Sequence, residues 1–350
     1  MSLHSHTMHS EEGLEIVPDW IAAALSIDHE KGAALNFRNA FWTPPLTPRQ
    51  AHSLEEEQIE TQLQLPGLVS LTDHDDVGAG RLLRVLDRFH HAPISTEWTI
   101  PFAPGFFHLG VHNIPPAEAG AIAGQLANFT ANPHAGKLGG ILTALNSCPD
   151  VLLVLNHPPW DEKGIGRNMH ERALGSLLER HGRSIHALEV NGFRRWSENA
   201  RVLLMGRNLN LPVVAGCDRH GLEPNAILNL SHANILSEFI HEVRYGASAA
   251  SFSCRSTGSR AGCASCTLYI DVLRDYPGDF EGRRARDHQA FDCSYTAVRP
   301  ARAIDYPDER MMRDAVDRGR VSSARHKRIM SHRNRSYPTF LRAQSICIYS

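Results

Sequence analysis

Pro212-Val213-Val214-Ala215-Gly216-Cys217-Asp218-Arg219-His220 decides how this chain is read. Four apolar residues lead into Asp218 and His220. In an extended segment residues i and i+2 point to one face, so this carboxylate and imidazole form a two-pronged claw at the carboxyl end of a strand. The same arrangement recurs outward along the chain. Val151 to Leu155 precedes His157, Ile185 to Leu188 precedes Glu189, and Gly67 to Leu71 precedes Asp73 and His74. Leu3-His4-Ser5-His6-Thr7 repeats the claw near the amino terminus, and Glu97 is followed by His108 eleven residues on. Groups suited to divalent metals thus sit where apolar strands end, the position at which α/β barrels assemble their sites. A hydrolase is the natural expectation.

Helical periodicity fills the gaps between these strands: Gly78 to Phe89, Ala117 to Phe129, Gly136 to Leu145, Met169 to His181, Ser197 to Arg207 and Leu236 to Tyr245. Ile94 to Thr99 and Phe106 to His112 read as further strands, and Ser2 to His6 as the first. The count is seven strands with helical connections, which predicts an α/β chain with a mostly parallel (β/α)7 barrel. A barrel of ordinary size uses roughly 250 residues. The chain has 350, so the reading is a metallohydrolase barrel over 1–252, with an insertion at about 25–60, and an irregular, basic C-terminal appendage over 253–350.

Composition fits a soluble enzyme: 42% hydrophobic, 21% charged and a net charge of −2. No apolar stretch approaches the roughly 18–20 residues needed to span a bilayer, and the first residues offer no basic-then-apolar leader. His4 and His6 already belong to the expected site, so the cytoplasm is the expected location, without a membrane or an obligate protein partner. Seven cysteines, five of them beyond residue 250, form no disulfide framework, and Cys263-Ala264-Ser265-Cys266 lacks the second pair of a zinc ribbon. From Arg318 to Ser350 there are eight Lys/Arg and no Asp/Glu. Such a tail can attract nucleic acid, but with few apolar anchors it reads as a solvated, partly disordered segment. Residues 253–267 mix Cys, Ser, Arg and Gly without periodicity. A local shift of reading frame is one account of them, and the coding DNA decides it.

The order and spacing of the motifs resemble the PHP (polymerase and histidinol phosphatase) family of metal-dependent phosphoesterases over about residues 1–250. LHSHT at 3–7, LTDHDDVGAG at 71–80, the Glu97–His108 pair, LNHPPW at 155–160 and AGCDRHG at 215–221 carry the resemblance. It implies a distorted seven-stranded barrel holding two or three Mn, Fe or Zn ions. Carried over position by position, it also implies metal ligation by His4, His6, His74, Glu97, His108, His157, Asp218 and His220. The family's further Asp corresponds to Glu11, with Glu12 beside it as the substitute.

The donor chemistry agrees, because imidazole and carboxylate without thiolate suit a hydrolytic site. Divalent ions in excess of the carboxylates favour an anionic substrate, and they bring the pKa of a coordinated water into the neutral range. Glu97 is the expected bridge between ions. Asp73 is expected to orient His74 or a neighbouring ligand, and Asp218 and His220 to assist proton transfer. Arg194 and Arg195, with Lys163 and Arg167 as a second pair, are candidate substrate-phosphate contacts. Glu189 and Asn191 either line the site or cap the end of their strand, and His9, His52, His90, His91 and His112 receive no role. The insertion, with Phe41-Trp42-Thr43-Pro44-Pro45 and a helix-prone Ser53 to Leu65, is either a lid or a packing embellishment. The expected activity is hydrolysis of a phosphomonoester or nucleotide-like ester, with a small phosphorylated substrate, nucleotide or oligonucleotide as partner. The alternatives are hydrolysis of an amide, carbamate or other ester, and an inactive metal-binding module.

Overall fold

The computed structural model describes residues 1–11, 46–221 and 225–246, with two short strands at 250–253 and 348–349. The Phe41–Pro45 stretch, Glu12, the Cys263–Cys266 pair and the rest of the basic tail lie outside the described residues. Helix α1 (Pro48–Leu63) starts earlier than its periodicity suggests, because Thr47 and Gln50 form a reciprocal capping box and Pro48 takes the first helical position. It buries Ala51, Glu55 and Ile59, one residue per turn. The helix expected over Gly78 to Phe89 is two pieces, α2 (Gly78–Leu83) and a single 3-10 turn at Asp87–Phe89.

A five-stranded sheet follows, in the order β1 (Thr96–Phe102), β2 (Gly105–His112), β3 (Leu152–Leu155), β4 (Ala187–Asn191) and β5 (Val213–Gly216). Helices α3 (Ala119–Ala131) and α4 (Ala135–Ser147) connect β2 to β3, α5 (Arg167–His181) connects β3 to β4, and α6 (Trp196–Leu209) connects β4 to β5. A second sheet joins β6 (Ile227–Leu230), β7 (Ala250–Ser253) and β8 (Ile348–Tyr349), with α7 (Leu236–Tyr245) between β6 and β7.

The chain is therefore mixed α/β, and two features correct the expected barrel. First, β1–β2 and β2–β3 are antiparallel, while β3–β4 and β4–β5 are parallel. Only Ala103 and Pro104 separate β1 from β2, a link too short for the crossover that parallel strands require. Second, the segments at 2–6 and 67–71 do not form ladders. They join through single parallel bridges, Ser2 to Val69 and Ser5 to Arg219, and a third bridge links His74 to Glu97. A continuous seven-stranded barrel is not formed among the described residues.

Alternation along the strands divides the interior. Leu153 and Leu155 of β3, Leu188 and Val190 of β4, and Ala215 of β5 pack with the apolar faces of α3 to α6. Leu152, Val154, Ala187 and Val214 turn to the opposite face. There they meet Met1, Leu3 and the Leu236, Phe239, Ile240 and Val243 stripe of α7, an i, i+3, i+4, i+7 face. Each large side chain buried this fully contributes roughly 1.5–3 kcal/mol. No helix among the described residues is long and apolar enough to cross a membrane.

Candidate metal centre

The second of those faces changes character towards the carboxyl ends of the strands. On β3 the series Leu152, Val154 continues to Asn156; on β4, Ala187 continues to Glu189 and Asn191; on β5, Val214 continues to Gly216 and then Asp218. Across the β1–β2 hairpin Glu97 pairs with Gly110 and Thr99 with His108, so Glu97 and His108 share one face on adjacent strands. Two glycines make room. A Cβ at Gly110 would come within 3.1 Å of Asn156 Oδ1, and one at Gly216 would overlap Glu189 Oε1. The amino-terminal claw is held by backbone bonds from His6 N to Arg219 O (2.8 Å) and from Arg219 N to His4 O (3.3 Å).

The structure brings His4, His6, His74, Glu97, His108, His157, Asp218 and His220 together. Glu97, fully buried, is their centre. Its Oε2 lies 2.9 Å from His4 Nε2, 3.2 Å from His74 Nε2 and 3.3 Å from His6 Nε2. Its Oε1 lies 3.2 Å from His157 Nε2 and 3.6 Å from His108 Nδ1, and accepts from Asn156 Nδ2 at 2.9 Å. His6 Nε2 also faces His4 Nε2 at 3.2 Å and Asp218 Oδ1 at 3.1 Å, and His220 Nε2 lies 3.2 Å from the same Asp218 oxygen.

Three overlapping groups of donors result: His6, His74, Asp218 and His220; His4, His6, Glu97 and Asp218; and His74, Glu97 and His108. Donor atoms clustered within 4.8 Å of one another suggest divalent-ion binding, and an all-N/O donor set is one that such ions accept. His157 and Asp218 take left-handed backbone conformations, φ 28° and 49°, a cost on the order of 1–3 kcal/mol each that is tolerated where a site dictates direction.

Burial and the close approach of the carboxylates set the ionisation of these groups. Burial opposes a charge on His4, but the Glu189 and Glu97 carboxylates outweigh it and hold the imidazole well above its ordinary range. Burial likewise lowers His6, yet Asp218 and Glu97 raise it to about 9. His74 is driven well below its ordinary range by burial, despite Glu97. Burial also takes His108 and His220 down to about 4. Glu97 and Asp218 are themselves held well below the usual carboxylate range, since the surrounding imidazoles overcome the penalty of burial. A divalent ion bound here would displace protons from these imidazoles.

Supporting residues orient the clustered imidazoles. Asp73 accepts from the backbone N and, at 2.7 Å, from Oγ1 of Thr7, so it fixes the residue after His6 rather than His74. Glu189 shares a 2.6 Å hydrogen bond with His4 Nδ1 and accepts from His157 N at 2.9 Å. It is the carboxylate behind an imidazole that metal ligands characteristically require. Asn191 binds Asn199 and Phe193 at the strand end. Glu11 is exposed, donates its backbone N to His74 O at 3.1 Å, and is not in the three donor groups found among the described residues.

Of the four candidate cations, Arg194 reaches the rim, its guanidinium 4.2 Å from the centre of the Trp160 ring and bonded to Glu198 at 2.8 Å. Arg195 and Lys163 are exposed, and Arg167 pairs with Glu171 on the surface of α5. Trp160 and Glu162 line a cleft with Phe106, Phe107, His108, Asn156 and His157. Glu162, overlooked in the sequence, has Oε2 3.6 Å from His108 Nδ1, and burial beside Asp218 and Glu97 raises its carboxyl to about 8. An acidic residue in a mixed-charge loop gives no sequence signal for this. Asn156 could have been found from its place beside His157.

No family model matches the sequence, and no curated protein matches it. In its motifs the chain is similar to the PHP family. Among solved structures it is similar to PsfC from Pseudomonas syringae, with 14% identity and a TM-score of 0.43, over 78% of this chain and 97% of that one. It is also similar to an amidohydrolase from Chromobacterium violaceum, with 16% identity and a TM-score of 0.37, over 63% of this chain and 87% of the other. A third is a two-domain protein from Bacteroides vulgatus containing a predicted PHP-like metal-dependent phosphoesterase, with 15% identity and a TM-score of 0.41, over 72% and 64% of the two chains. At these identities and TM-scores the likeness decides neither fold nor chemistry.

Proposed function

We propose that this chain is a metal-dependent hydrolase that cleaves a phosphomonoester or nucleotide-like phosphate ester. The observation that carries the reading is the position of Glu97, whose two carboxylate oxygens face separate sets of imidazoles, His4, His6 and His74 on one side and His157 and His108 on the other. A carboxylate so placed suits a bridge between two ions, and His6, His74, Asp218 and His220 offer a further group. Two or three Zn, Mn or Fe ions held there would supply a water activated at neutral pH and positive charge for phosphoryl oxygens.

The protein's own groups do the rest. Asp73 and Glu189 fix His6, by way of Thr7, and His4. Asp218 and His220 stand within hydrogen-bonding reach of each other, a pair suited to carrying a proton to or from the reacting oxygens. Arg194, stacked on Trp160, presents a guanidinium at the rim for the substrate phosphate.

Elemental analysis of the purified protein, followed by a panel of phosphate esters, amides and carboxylic esters with Mn, Fe and Zn, tests the proposal. Metal uptake with turnover of phosphate esters, lost in a folded His157→Ala protein, supports it. Turnover confined to amides or carboxylic esters supports the other hydrolase reading. Metal uptake without turnover of any panel member identifies an inactive binding module.

A further inference from the structure

The insertion helix α1 reaches the metal centre from behind. Arg219 lies between Asp218 and His220, and alternation sends its side chain away from theirs. Its guanidinium Nη1 meets Glu55 Oε1 of α1 at 3.1 Å. Both residues are buried, Glu55 completely, and Glu55 Oε2 has no hydrogen-bond partner among the described residues. The backbone of Arg219 is also the junction of the two claws: its N donates to His4 O and its O accepts from His6 N. A shift of Arg219 therefore moves His4 and His6 relative to Asp218 and His220.

Helix α1 is tied down on both sides of this contact. Met8 N donates to Leu46 O at 2.8 Å, just before the helix and two residues after His6. Gln58 makes a reciprocal pair with the backbone of Asn225, at 2.7 and 2.9 Å. An embellishment that only covered apolar surface would be expected to carry apolar side chains here. A buried ion pair costs desolvation, so this one suits a role in fixing a single arrangement of Arg219.

We propose that Glu55 is a positioning residue of the metal centre, acting through Arg219 to set the spacing between the His4–His6 and Asp218–His220 claws. Helix α1 is then a brace for the ligands rather than a lid. The inference rests on the metal-centre reading.

The test is calorimetric titration of Mn(II) into metal-free full-length protein, with Co(II) absorption spectra, circular dichroism and thermal melts run in parallel. The wild type binds metal. Glu55→Gln, which keeps shape and removes charge, stays folded but weakens binding by about 10–100-fold, the usual consequence of losing an outer support, and alters the Co(II) ligand-field bands. Gln58→Ala, on the same helix, lowers the melting temperature and leaves affinity and spectrum unchanged. If Glu55→Gln fails to fold, the double variant Glu55→Met/Arg219→Met restores folding with an apolar pair and retains the weakened binding. Wild-type affinity and spectrum in folded Glu55→Gln or in the folded double variant would overturn the proposal. A wild type that takes up no metal would overturn the metal-centre reading instead.

Discussion

One face of one sheet carries two different chemistries. Towards the start of β3, β4 and β5, Leu152, Val154, Ala187 and Val214 pack against Phe239, Ile240 and Val243 of α7. One or two strand steps further, the same face presents Asn156, Glu189 and Asp218 among six buried imidazoles. The apolar end holds the strands in register by burial. The polar end uses that register to bring together groups that repel, compete for protons and bend the backbone. Stability and function are thus separated along each strand by a few ångströms, and substitutions at the two ends should have separable consequences.

The largest expected effect lies at the polar end. Glu97→Gln should leave a folded protein by circular dichroism while metal content and turnover fall to background, because both ligand sets lose their shared carboxylate. At the apolar end, Phe239→Ala should lower the unfolding free energy by about 3–5 kcal/mol, the cost of an emptied aromatic site. The fraction that remains folded should bind metal with unchanged stoichiometry, as urea melts and titration can check. Loss of metal sites in folded Phe239→Ala would break the separation of the two ends.

Glu189→Gln probes the border between them. It keeps the side-chain volume beside Gly216 but weakens the hold on His4 Nδ1, and a 10–100-fold loss of metal affinity is expected, measurable by chelator competition.

A smaller effect distinguishes the ends by pH. In the metal-free protein His6 is raised from 6.5 to about 9, so the stability it adds is full below about 6.5 and is lost as pH rises through about 9. His108 and His220, lowered to about 4, favour the folded state above about 6.5, and that advantage is lost as pH falls towards about 4. Urea melts of metal-free protein across this range should show both losses. With metal bound the alkaline loss should disappear, since a ligating His6 carries no second proton, and metal affinity should rise with pH up to about 9.

Much of the cluster was legible because its members obey local rules. His4 with His6 and Asp218 with His220 are i, i+2 pairs, and His157 follows a short apolar run. The topology was less so. Five of the seven expected strands form ladders and the other two only single bridges, which the sequence pattern does not separate; β6 to β8 had no matching expectation, and the short gap between Thr99 and Phe106 already argues for an antiparallel pair. Supporting residues were hidden by distance. Glu189 meets His4 across 185 positions and Glu55 meets Arg219 across 164, and neither pairing has a local signature. Glu11 was carried over from a motif whose spacing matched; its side chain is exposed, and its substitute Glu12 lies outside the described residues.

The central claim is that donors from separate strands converge on Glu97 to hold ions. An anomalous-difference map from crystals grown with Mn(II) tests it most directly. Peaks within bonding distance of both Glu97 carboxylate oxygens, with His4, His6 or His74 on one side and His157 or His108 on the other, are the expected result. Bound manganese located elsewhere, with no peak at Glu97, would contradict the account.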